Sequence, residues 1–320
     1  MRLIFMGTPE FAVPSLERLV AAGHQVAAIF TQPDKPSGRD QKLHSPPVKL
    51  FGLEHSIPIF QPARIKTNDE VREVFEKIAP DACIVVAYGK ILPEWLLAIP
   101  RLGCINVHAS LLPKYRGAAP INWAIAKGET QTGVTIMQID AGMDTGPMLA
   151  RRVVDIGSEE TAPELSSRLA KIGAELLSES LPRIAEGLTP VAQDDSQATY
   201  APILTKREGL VDWTLSAIEI ANRIRAFQPW PGSYTMLRDR RLIIWKAQAT
   251  VFESNEARPP EPATIVGIDQ GDIRVACANS TALRIEEMQV EGKRKLSARD
   301  LANGLRLSVG DLLTDRVVGG

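Results

Sequence analysis

Four short, almost unbroken apolar runs constrain the fold of the first third of this chain more than any other feature. They are RLIFM (2–6), QVAAIFT (25–31), DACIVVAYG (81–89) and GCINVH (103–108). Segments with apolar residues at helical spacing lie between them, such as VREVFEKIA at 71–79. Continuous apolar strands that alternate with amphipathic helices are typical of a parallel sheet covered by helices on both faces. The pattern therefore predicts an α/β domain with a Rossmann-like, mostly parallel sheet.

The pattern changes towards the C-terminus. Further strands and a long helix at 161–187 complete the first domain, and the residues that follow lose periodicity and gain proline and polar side chains. Short alternating segments then follow one another, separated by Gly and Asp turns, which is typical of a small β-barrel. We therefore predict an α/β domain over 1–188, a linker over 189–206 and an OB-like barrel over 207–314.

The composition excludes several classes of protein. A formal net charge of −1 argues against a general nucleic-acid coat, and three cysteines without CxxC spacing indicate neither a zinc site nor a disulfide framework. No apolar run approaches the ~18 residues that a membrane span needs, and the apolar start of MRLIFMGTPEF is too short for a secretory signal. We expect a metal-free protein of the cytoplasm with no membrane association. Nothing in the sequence indicates oligomerisation, so we expect a monomer.

The glycine after the first strand, in FMGTPEF, does not continue into a nucleotide-binding motif. G-x-G-x-x-G is absent, so no second glycine lets a pyrophosphate approach the backbone, which argues against a nicotinamide-dependent dehydrogenase. The sequence also lacks G-x-x-x-x-G-K-[ST], the loop that holds the phosphates of a nucleoside triphosphate.

Polar side chains interrupt the end of the apolar strand GCINVH. Asn106 and His108 lie two residues apart and so share one face, at the carboxyl end where open α/β sheets bind ligands. Asp144 lies in the glycine-flanked loop AGMDTG after another predicted strand. An amide donor, an imidazole and a carboxylate together suit a transfer to or from a carbonyl through an oxyanion. A strand-end histidine is also often a structural residue, and the spacing alone leaves both interpretations open.

Longer motifs carry a resemblance to a known family. Asn106-x-His108 followed by SLLPKYRG (110–117), with Asp144 in GMDTG, resembles the signature of the folate-dependent formyltransferases. The likeness extends in order over nearly the whole chain to the branch of that family that acts on methionyl-tRNA, through FMGTPEFA, TQPDKPSGR, VVAYGKILP, GAAPINWAI, TGVTIMQID and RAFQPWPGSY. The resemblance implies that 10-formyltetrahydrofolate donates a formyl group to the α-amino group of methionine charged on initiator tRNA.

The resemblance also implies roles for residues at matching positions. Asn106 would donate a hydrogen bond to the developing oxyanion, and His108 would stabilise it as an imidazolium or shuttle protons. Asp144 would pair with His108 and help to deprotonate the amine, without a metal. The folate-binding surface of the family matches two segments and one acidic residue: Val86, Ala87, Tyr88, Gly89, Ile91, Leu92, Ser110, Leu111, Leu112, Pro113 and Asp140.

The segment TQPDKPSGRDQKLHSPP (31–47) is predicted to be a long irregular loop with a function. In the family, an insertion here carries a basic residue that wedges into the tRNA acceptor stem; Arg39 matches it, with Lys35 and Lys42 as supports. Asp40, directly after Arg39, weakens the positive field of the loop. The barrel would bind tRNA phosphates through local basic clusters: Arg223 with Arg225; Arg238, Arg240 and Arg241 with Lys246; and Lys293 to Lys295.

Three rival functions share parts of this pattern. A purine-pathway formyltransferase would need only the first domain, and an inactive core with a tRNA-binding module would not need an intact Asn106, His108 and Asp144. A sugar-nucleotide amine formyltransferase with the same folate donor would have no reason for the basic loop 32–45. This last enzyme is retained as the alternative.

Overall fold

The structure is a computed structural model that describes residues 1–37, 42–251, 260–269 and 271–314. These residues form two compact units. The first comprises Met1–Pro120, Gln131–Asp155 and Leu165–Pro202, and the second comprises Ile121–Thr130, Ile156–Glu164 and the chain from Ile203 onward.

Within the described ranges the strands, in chain order, are β1 (Arg2–Gly7), β2 (Gln25–Phe30), β3 (Lys35–Ser37), β4 (Lys42–His44), β5 (Ile59–Phe60), β6 (Ala82–Val86), β7 (Cys104–His108), β8 (Arg116–Gly117), β9 (Gln131–Gln138), β10 (Met148–Asp155), β11 (Tyr200–Ala201), β12 (Ser233–Leu237), β13 (Arg240–Val251), β14 (Ile265–Ile268), β15 (Ile273–Cys277), β16 (Thr281–Val290) and β17 (Lys295–Ser297). The helices are α1 (Val13–Ala21), α2 (Pro47–Glu54), α3 (Asp69–Ile78), α4 (Glu94–Ala98), α5 (Pro120–Ala126), α6 (Ala162–Ala185), α7 (Ala217–Ala226) and α8 (Ala298–Leu305).

The first unit is built on a seven-stranded sheet with the order β10-β9-β7-β6-β1-β2-β5. Strands β5, β2, β1, β6 and β7 run parallel, whereas β9 is antiparallel to both β7 and β10. Every residue of β6 is buried, and so is β1 apart from its first residue, as expected of central strands that are covered on both faces. The predicted Rossmann-like, mostly parallel sheet is confirmed.

Helix α3 shows how the sequence places a helix against this sheet. Asn68 caps its start by accepting a hydrogen bond from the Val71 amide at 3.1 Å, and the left-handed Ala79 ends it. Val71 and Phe75, four residues apart, lie on its buried face. The ring of Phe75 packs on that of Phe30 with centroids 5.0 Å apart.

The proline-rich segment after β2 differs from the predicted irregular loop. Strands β3 and β4 pair antiparallel, with Lys35 opposite His44, so the segment is a hairpin whose residues 38–41 lie outside the described ranges. Its base is anchored by Asp34, which accepts hydrogen bonds from Gln61 Nε2 (2.8 Å), Lys49 Nζ (2.6 Å) and Ser45 Oγ (3.2 Å). Strands of three residues are too short to give a hydrophobic period, so the sequence pattern does not reveal them.

The second unit is an antiparallel sheet with the order β12-β13-β16-β15-β14, and β17 pairs with β16. The segment 311–314 joins its two edges, because Thr314 bridges to Met236 of β12 and Leu312 bridges to Thr264 beside β14. A segment paired with both edge strands closes the sheet into a barrel and removes exposed edges. The predicted C-terminal β domain is confirmed. Within the described part of the chain, no helix is long and apolar enough to cross a membrane.

Candidate active site

Strand β7 brings Asn106 and His108 into the sheet of the first unit. It pairs with β6 on one side and β9 on the other, so that Asn106 lies between Val85 and Met137. Asn106 is half-buried, and its amide has no hydrogen-bond partner among the described residues. Both of its N–H groups are therefore free to meet a ligand.

His108 is buried, with only 6% of its surface exposed, and both ring nitrogens face polar groups. Nε2 lies 3.0 Å from the carbonyl oxygen of Tyr115. A carbonyl can only accept, so Nε2 must carry the proton of this hydrogen bond. Nδ1 faces Asp144, with its Oδ2 at 3.7 Å. Nδ1 is thus the nitrogen that can gain or lose a proton, and a protonated ring forms an ion pair with Asp144.

The loop after β9 runs back towards the His108 end of β7 and so places Asp144 beside the histidine. Because β9 is antiparallel to β7, with Gln138 opposite Ile105, the loop begins away from the His108 end of β7. Asp140 stabilises the loop by accepting hydrogen bonds from the Gly142 amide (3.0 Å) and Thr145 Oγ1 (2.7 Å). The Gly117 amide then donates to Asp144 Oδ2 at 2.8 Å. This bond fixes the carboxylate oxygen that faces His108.

Both groups that face the ring of His108 come from residues with unusual backbone angles. Tyr115 has a φ of 60° and Asp144 a φ of 53°, in the left-handed region that residues other than glycine seldom adopt. Such conformations persist only where the surrounding contacts over-determine them, and they cluster at functional sites. Gly117, whose amide binds Asp144 Oδ2, has a φ of 117°, and a Cβ here would lie 2.8 Å from the Ala201 carbonyl oxygen.

The residues predicted to bind folate divide into exposed and buried sets. Ala87, Gly89 and Ile91 are exposed, and Ile91 is 90% exposed, so these offer backbone and an apolar side chain to a ligand. Asp140 is exposed as well, and Leu111 and Pro113 are half-buried. The other predicted members are buried: Val86, Tyr88, Leu92, Ser110 and Leu112.

The buried members of this set have structural roles beneath the surface that the exposed members form. Tyr88 points into the core, where burial raises the pKa of its hydroxyl, and its carbonyl accepts hydrogen bonds from Thr8 and Gln32. Ser110 donates to the Lys114 carbonyl at 2.6 Å and so shapes the loop after β7. The side chains of these residues are structural in this arrangement, and the exposed members form the accessible surface.

The residues predicted to bind tRNA are dispersed. Lys35 is exposed in β3 and Lys42 lies in β4, whereas Arg39, together with Asp40, lies outside the described residues. Arg225 is occupied within the second unit, where its guanidinium donates to Asn222 Oδ1 and to the carbonyls of Gly157 and Glu160. Burial lowers the pKa of Arg225. Its guanidinium is therefore engaged, and its contact with tRNA stays a prediction.

The cysteines and a cavity at the other end of β7 lie apart from this site. Cys83, Cys104 and Cys277 are free and buried, and burial raises the pKa of the Cys277 thiol to about 12. A cavity of about 590 Å³ opens at the other end of β7, between Gly103 and Pro190, and neither Asn106 nor His108 lines it. Within the described ranges, no cluster of three or more His, Cys, Asp or Glu side chains is placed to hold a metal ion.

Sequence reasoning gave no role to four residues that complete the site. Tyr115 supplies a carbonyl and Gly117 an amide, and neither group is visible in a side-chain pattern. Gln193 and Thr199, in the segment predicted as a linker, hydrogen-bond the loops that carry Asp144 and Tyr115. A mixture of polar residues and prolines without periodicity contains no signal for such contacts.

Two family models cover most of the chain. The Formyl transferase model matches residues 1–181, and the model described as Formyl transferase, C-terminal domain matches residues 203–306. A methionyl-tRNA formyltransferase of Acidobacterium capsulatum is 50% identical over 309 residues, which are 96% of this chain and 98% of that protein. Its counterpart in Geobacter sulfurreducens is 47% identical over 314 residues, which are 98% of this chain and 96% of that protein. The chain belongs to the methionyl-tRNA formyltransferase family.

Solved structures of more distant proteins share the fold of this family member. An N-formyltransferase from Helicobacter canadensis, in complex with folinic acid and dTDP-3-aminofucose, has a TM-score of 0.63 at 19% identity and covers 89% of this chain and 98% of its own. HypX from Aquifex aeolicus, in complex with tetrahydrofolic acid, has a TM-score of 0.63 at 16% identity and covers 97% of this chain and 48% of its own. At these identities the likeness establishes the fold alone.

Proposed function

We propose that this protein transfers a formyl group from 10-formyltetrahydrofolate to the α-amino group of methionine on initiator tRNA. The observation that carries the proposal is the near-complete match to methionyl-tRNA formyltransferases, at 47–50% identity over at least 96% of both chains. The product is N-formylmethionyl-tRNA for translation initiation, and the reaction takes place in the cytoplasm.

The exposed part of the predicted folate surface fits a flat, hydrogen-bonding heterocycle. Ala87 and Gly89 have left-handed backbones and are exposed, so this turn offers main-chain donors and acceptors beside the apolar Ile91. Few, well-placed polar groups on an apolar surface are typical of sites for such ligands. The bound folate supplies the formyl carbon.

His108 and Asp144 handle the proton of the attacking amine. The α-amino group must be neutral to attack, and it loses a proton as the new C–N bond forms. Because Nε2 of His108 is committed to the Tyr115 carbonyl, Nδ1 accepts this proton and returns it to the donor nitrogen as the bond from that nitrogen to the formyl carbon breaks. Asp144, 3.7 Å from Nδ1, stabilises the imidazolium formed between these steps.

Asn106 stabilises the charge that develops on the formyl oxygen. Its amide shares a strand face with His108 and has no partner among the described residues, so it can donate to that oxygen without first breaking a bond. An amide held in a sheet needs little reorganisation when the charge appears.

Basic residues in each unit provide phosphate contacts for tRNA. In the first unit these are Lys35 of β3 and Lys42 of β4, together with Arg39, which lies outside the described residues. In the second unit, the register brings the β12–β13 turn and the turn after β16 to one end of the barrel. Four exposed cations without an ion-pair partner in the described part of the chain lie there: Arg238, Arg240, Lys293 and Arg294. We define these four residues as the barrel-end cluster.

The proposal is tested by comparing two substrates that could accept the formyl group. Purified protein should formylate methionyl initiator tRNA with 10-formyltetrahydrofolate and leave an amino-sugar nucleotide unmodified. His108→Ala should abolish most of this transfer, and His55→Ala, at an exposed histidine of the same unit, should retain it. Formylation of the sugar nucleotide with none on tRNA would instead support the alternative enzyme.

Two further parts of the proposal need separate measurements. We expect the protein to act as a monomer, so light scattering should give a mass near 34.9 kDa. We also expect no metal requirement, so dialysis against EDTA should leave the rate unchanged; a loss restored by a divalent cation would contradict this.

A further inference from the structure

The segment Val191–Ala201, here called the strap, lies along the two loops that hold His108. At its start, Val191 forms a bridge with Met148, directly after the loop of Asp144. At its end, β11 pairs with β8, so that Tyr200 and Ala201 lie beside Arg116 and Gly117. All of these contacts are within the first unit.

Gln193 connects the strap to the loop of Asp144. Its Nε2 donates to the carbonyls of Asp144 (2.8 Å) and Gly146 (2.7 Å), while its Oε1 accepts from Arg116 Nε (3.1 Å) and Nη2 (2.8 Å). Arg116 is 2% exposed and also pairs with Asp195 of the strap at 2.6 Å. A buried guanidinium needs such partners, so it fixes the amide orientation of Gln193.

Thr199 connects the strap to Tyr115. Its Oγ1 accepts the hydrogen bond of the Tyr115 amide at 2.9 Å, and its carbonyl accepts that of the Arg116 amide at 2.9 Å. Tyr115 in turn supplies the carbonyl that binds Nε2 of His108. The strap therefore touches both residues that face the histidine ring, and both have left-handed backbones that need outside support.

We propose that Gln193 and Thr199 are positioning residues for formyl transfer: the strap holds Asp144 at Nδ1 and the Tyr115 carbonyl at Nε2 of His108. The inference rests on the proposed function for its chemistry. Neither side chain touches the reacting atoms; each acts through a residue that faces His108.

The substitution Gln193→Glu tests the link between the strap and the loop of Asp144 most directly. The carboxylate keeps the shape of the side chain and the acceptor for Arg116, but it places an oxygen against the carbonyls of Asp144 and Gly146. The loop should move away, and kcat should fall roughly 10- to 100-fold, the scale of an ångström misplacement at a reacting group. The KM values for both substrates should stay within twofold.

The chain offers a matched control for this change. Gln197→Glu introduces the same charge in the strap, at an exposed side chain whose one hydrogen bond among the described residues is its donation to Asp194 Oδ2. It should retain the wild-type kcat. Thr199→Val, which removes the acceptor for the Tyr115 amide, should lower kcat several-fold, and Thr199→Ser, which keeps the hydroxyl, should restore it.

Amide hydrogen exchange measured by NMR supplies a readout besides activity. The Gly117 amide donates to Asp144 Oδ2, so Gln193→Glu should accelerate its exchange, and Gln197→Glu should not. Wild-type kcat in Gln193→Glu, a loss confined to the KM for tRNA, or unchanged Gly117 exchange would each overturn the inference. If the wild-type protein formylates no methionyl-tRNA, the proposed function fails, while the exchange experiment still tests the strap.

Discussion

The two nitrogens of His108 differ because their neighbours differ. A buried ring must satisfy its N–H group, and the carbonyl of Tyr115 does so at Nε2. This leaves Nδ1 to face a carboxylate in a place with little water, where charge interactions are stronger than in solution. In the proposed reaction, Nδ1 is therefore the nitrogen that accepts and releases the transferred proton.

Asp144→Asn separates the charge of this residue from its geometry. Asparagine tolerates a left-handed backbone and keeps an oxygen for the Gly117 amide, so the loop should retain its conformation and the melting temperature should change little. Without the negative charge the imidazolium loses its counter-ion. We expect kcat to fall about 10²-fold or more, in the range typical of acid–base catalysis. Steady-state rates and thermal melts check both parts; near-wild-type kcat would contradict the role of the charge.

Asn106→Ala removes the amide proposed to bind the formyl oxygen. Its side chain makes no hydrogen bond among the described residues, so the fold should remain intact, and kcat should fall roughly 10²- to 10³-fold, as for other oxyanion donors. The control is Asn303→Ala, at an exposed position of α8. A loss in Asn106→Ala that appears only in the KM for folate would assign this residue to binding instead.

At the scale of elements, the hairpin β3–β4 depends on contacts at its base. Asp34 accepts three hydrogen bonds from residues outside the two strands, and those from Gln61 and then Lys49 lower the pKa of its carboxyl. Because the pKa of Asp34 is lowered in the folded state, the stabilisation that its carboxylate contributes is fully present above the ordinary aspartate pKa. This stabilisation is lost only as the pH falls through the lowered pKa of Asp34 in the folded protein.

Asp34→Asn should loosen this base and weaken tRNA recognition through the hairpin. An amide presents one acceptor where the carboxylate presents two, so donors that converge on Asp34 lose partners. We expect the KM for tRNA to rise roughly two- to fivefold, the scale of an exposed ionic contact, with kcat and the KM for folate unchanged. Glu54→Gln, an exposed acidic residue of α2, is the charge-matched control. An unchanged KM for tRNA would remove the hairpin base from recognition.

At the scale of the whole molecule, a net charge of −1 leaves nucleic-acid binding to local surfaces. Many basic residues of the second unit are neutralised by ion pairs, among them Arg241 with Glu291 and Lys246 with Glu286. The four residues of the barrel-end cluster have no ion-pair partner among the described residues. Its position in turns leaves the side chains accessible to phosphates.

The double substitution Arg238→Ala with Arg294→Ala should therefore reduce the salt dependence of tRNA binding. Each lost phosphate contact lowers the slope of log K against log salt by about 1, so the pair should lower it by about 2. Binding titrations between low and moderate salt give the slope. Arg274→Ala, at an arginine already paired with Asp269 at 2.5 Å, should leave it nearly unchanged. Equal slopes for the double variant and the wild type would exclude this cluster from the interface.

The sequence allowed most of the elements and the family to be predicted. Continuous apolar runs became β1, β2, β6 and β7, and the helical period at 161–187 became α6, because burial on one or both faces leaves a period in the residues themselves. The hairpin β3–β4 was not predicted, because its strands are too short to show a hydrophobic period. The roles of Asn106, His108 and Asp144 came from a motif, and they stay predictions that the observed geometry supports.

The sequence by itself determined which segments are apolar on which face, and which motifs identify the family. Only the tertiary structure decided that β9 runs antiparallel, that Tyr115 and Asp144 take left-handed backbones, and that the strap supports both. The physical reason is that these features depend on backbone carbonyls and amides, which every residue carries. Their partners lie tens of residues away along the chain, so no local pattern records them.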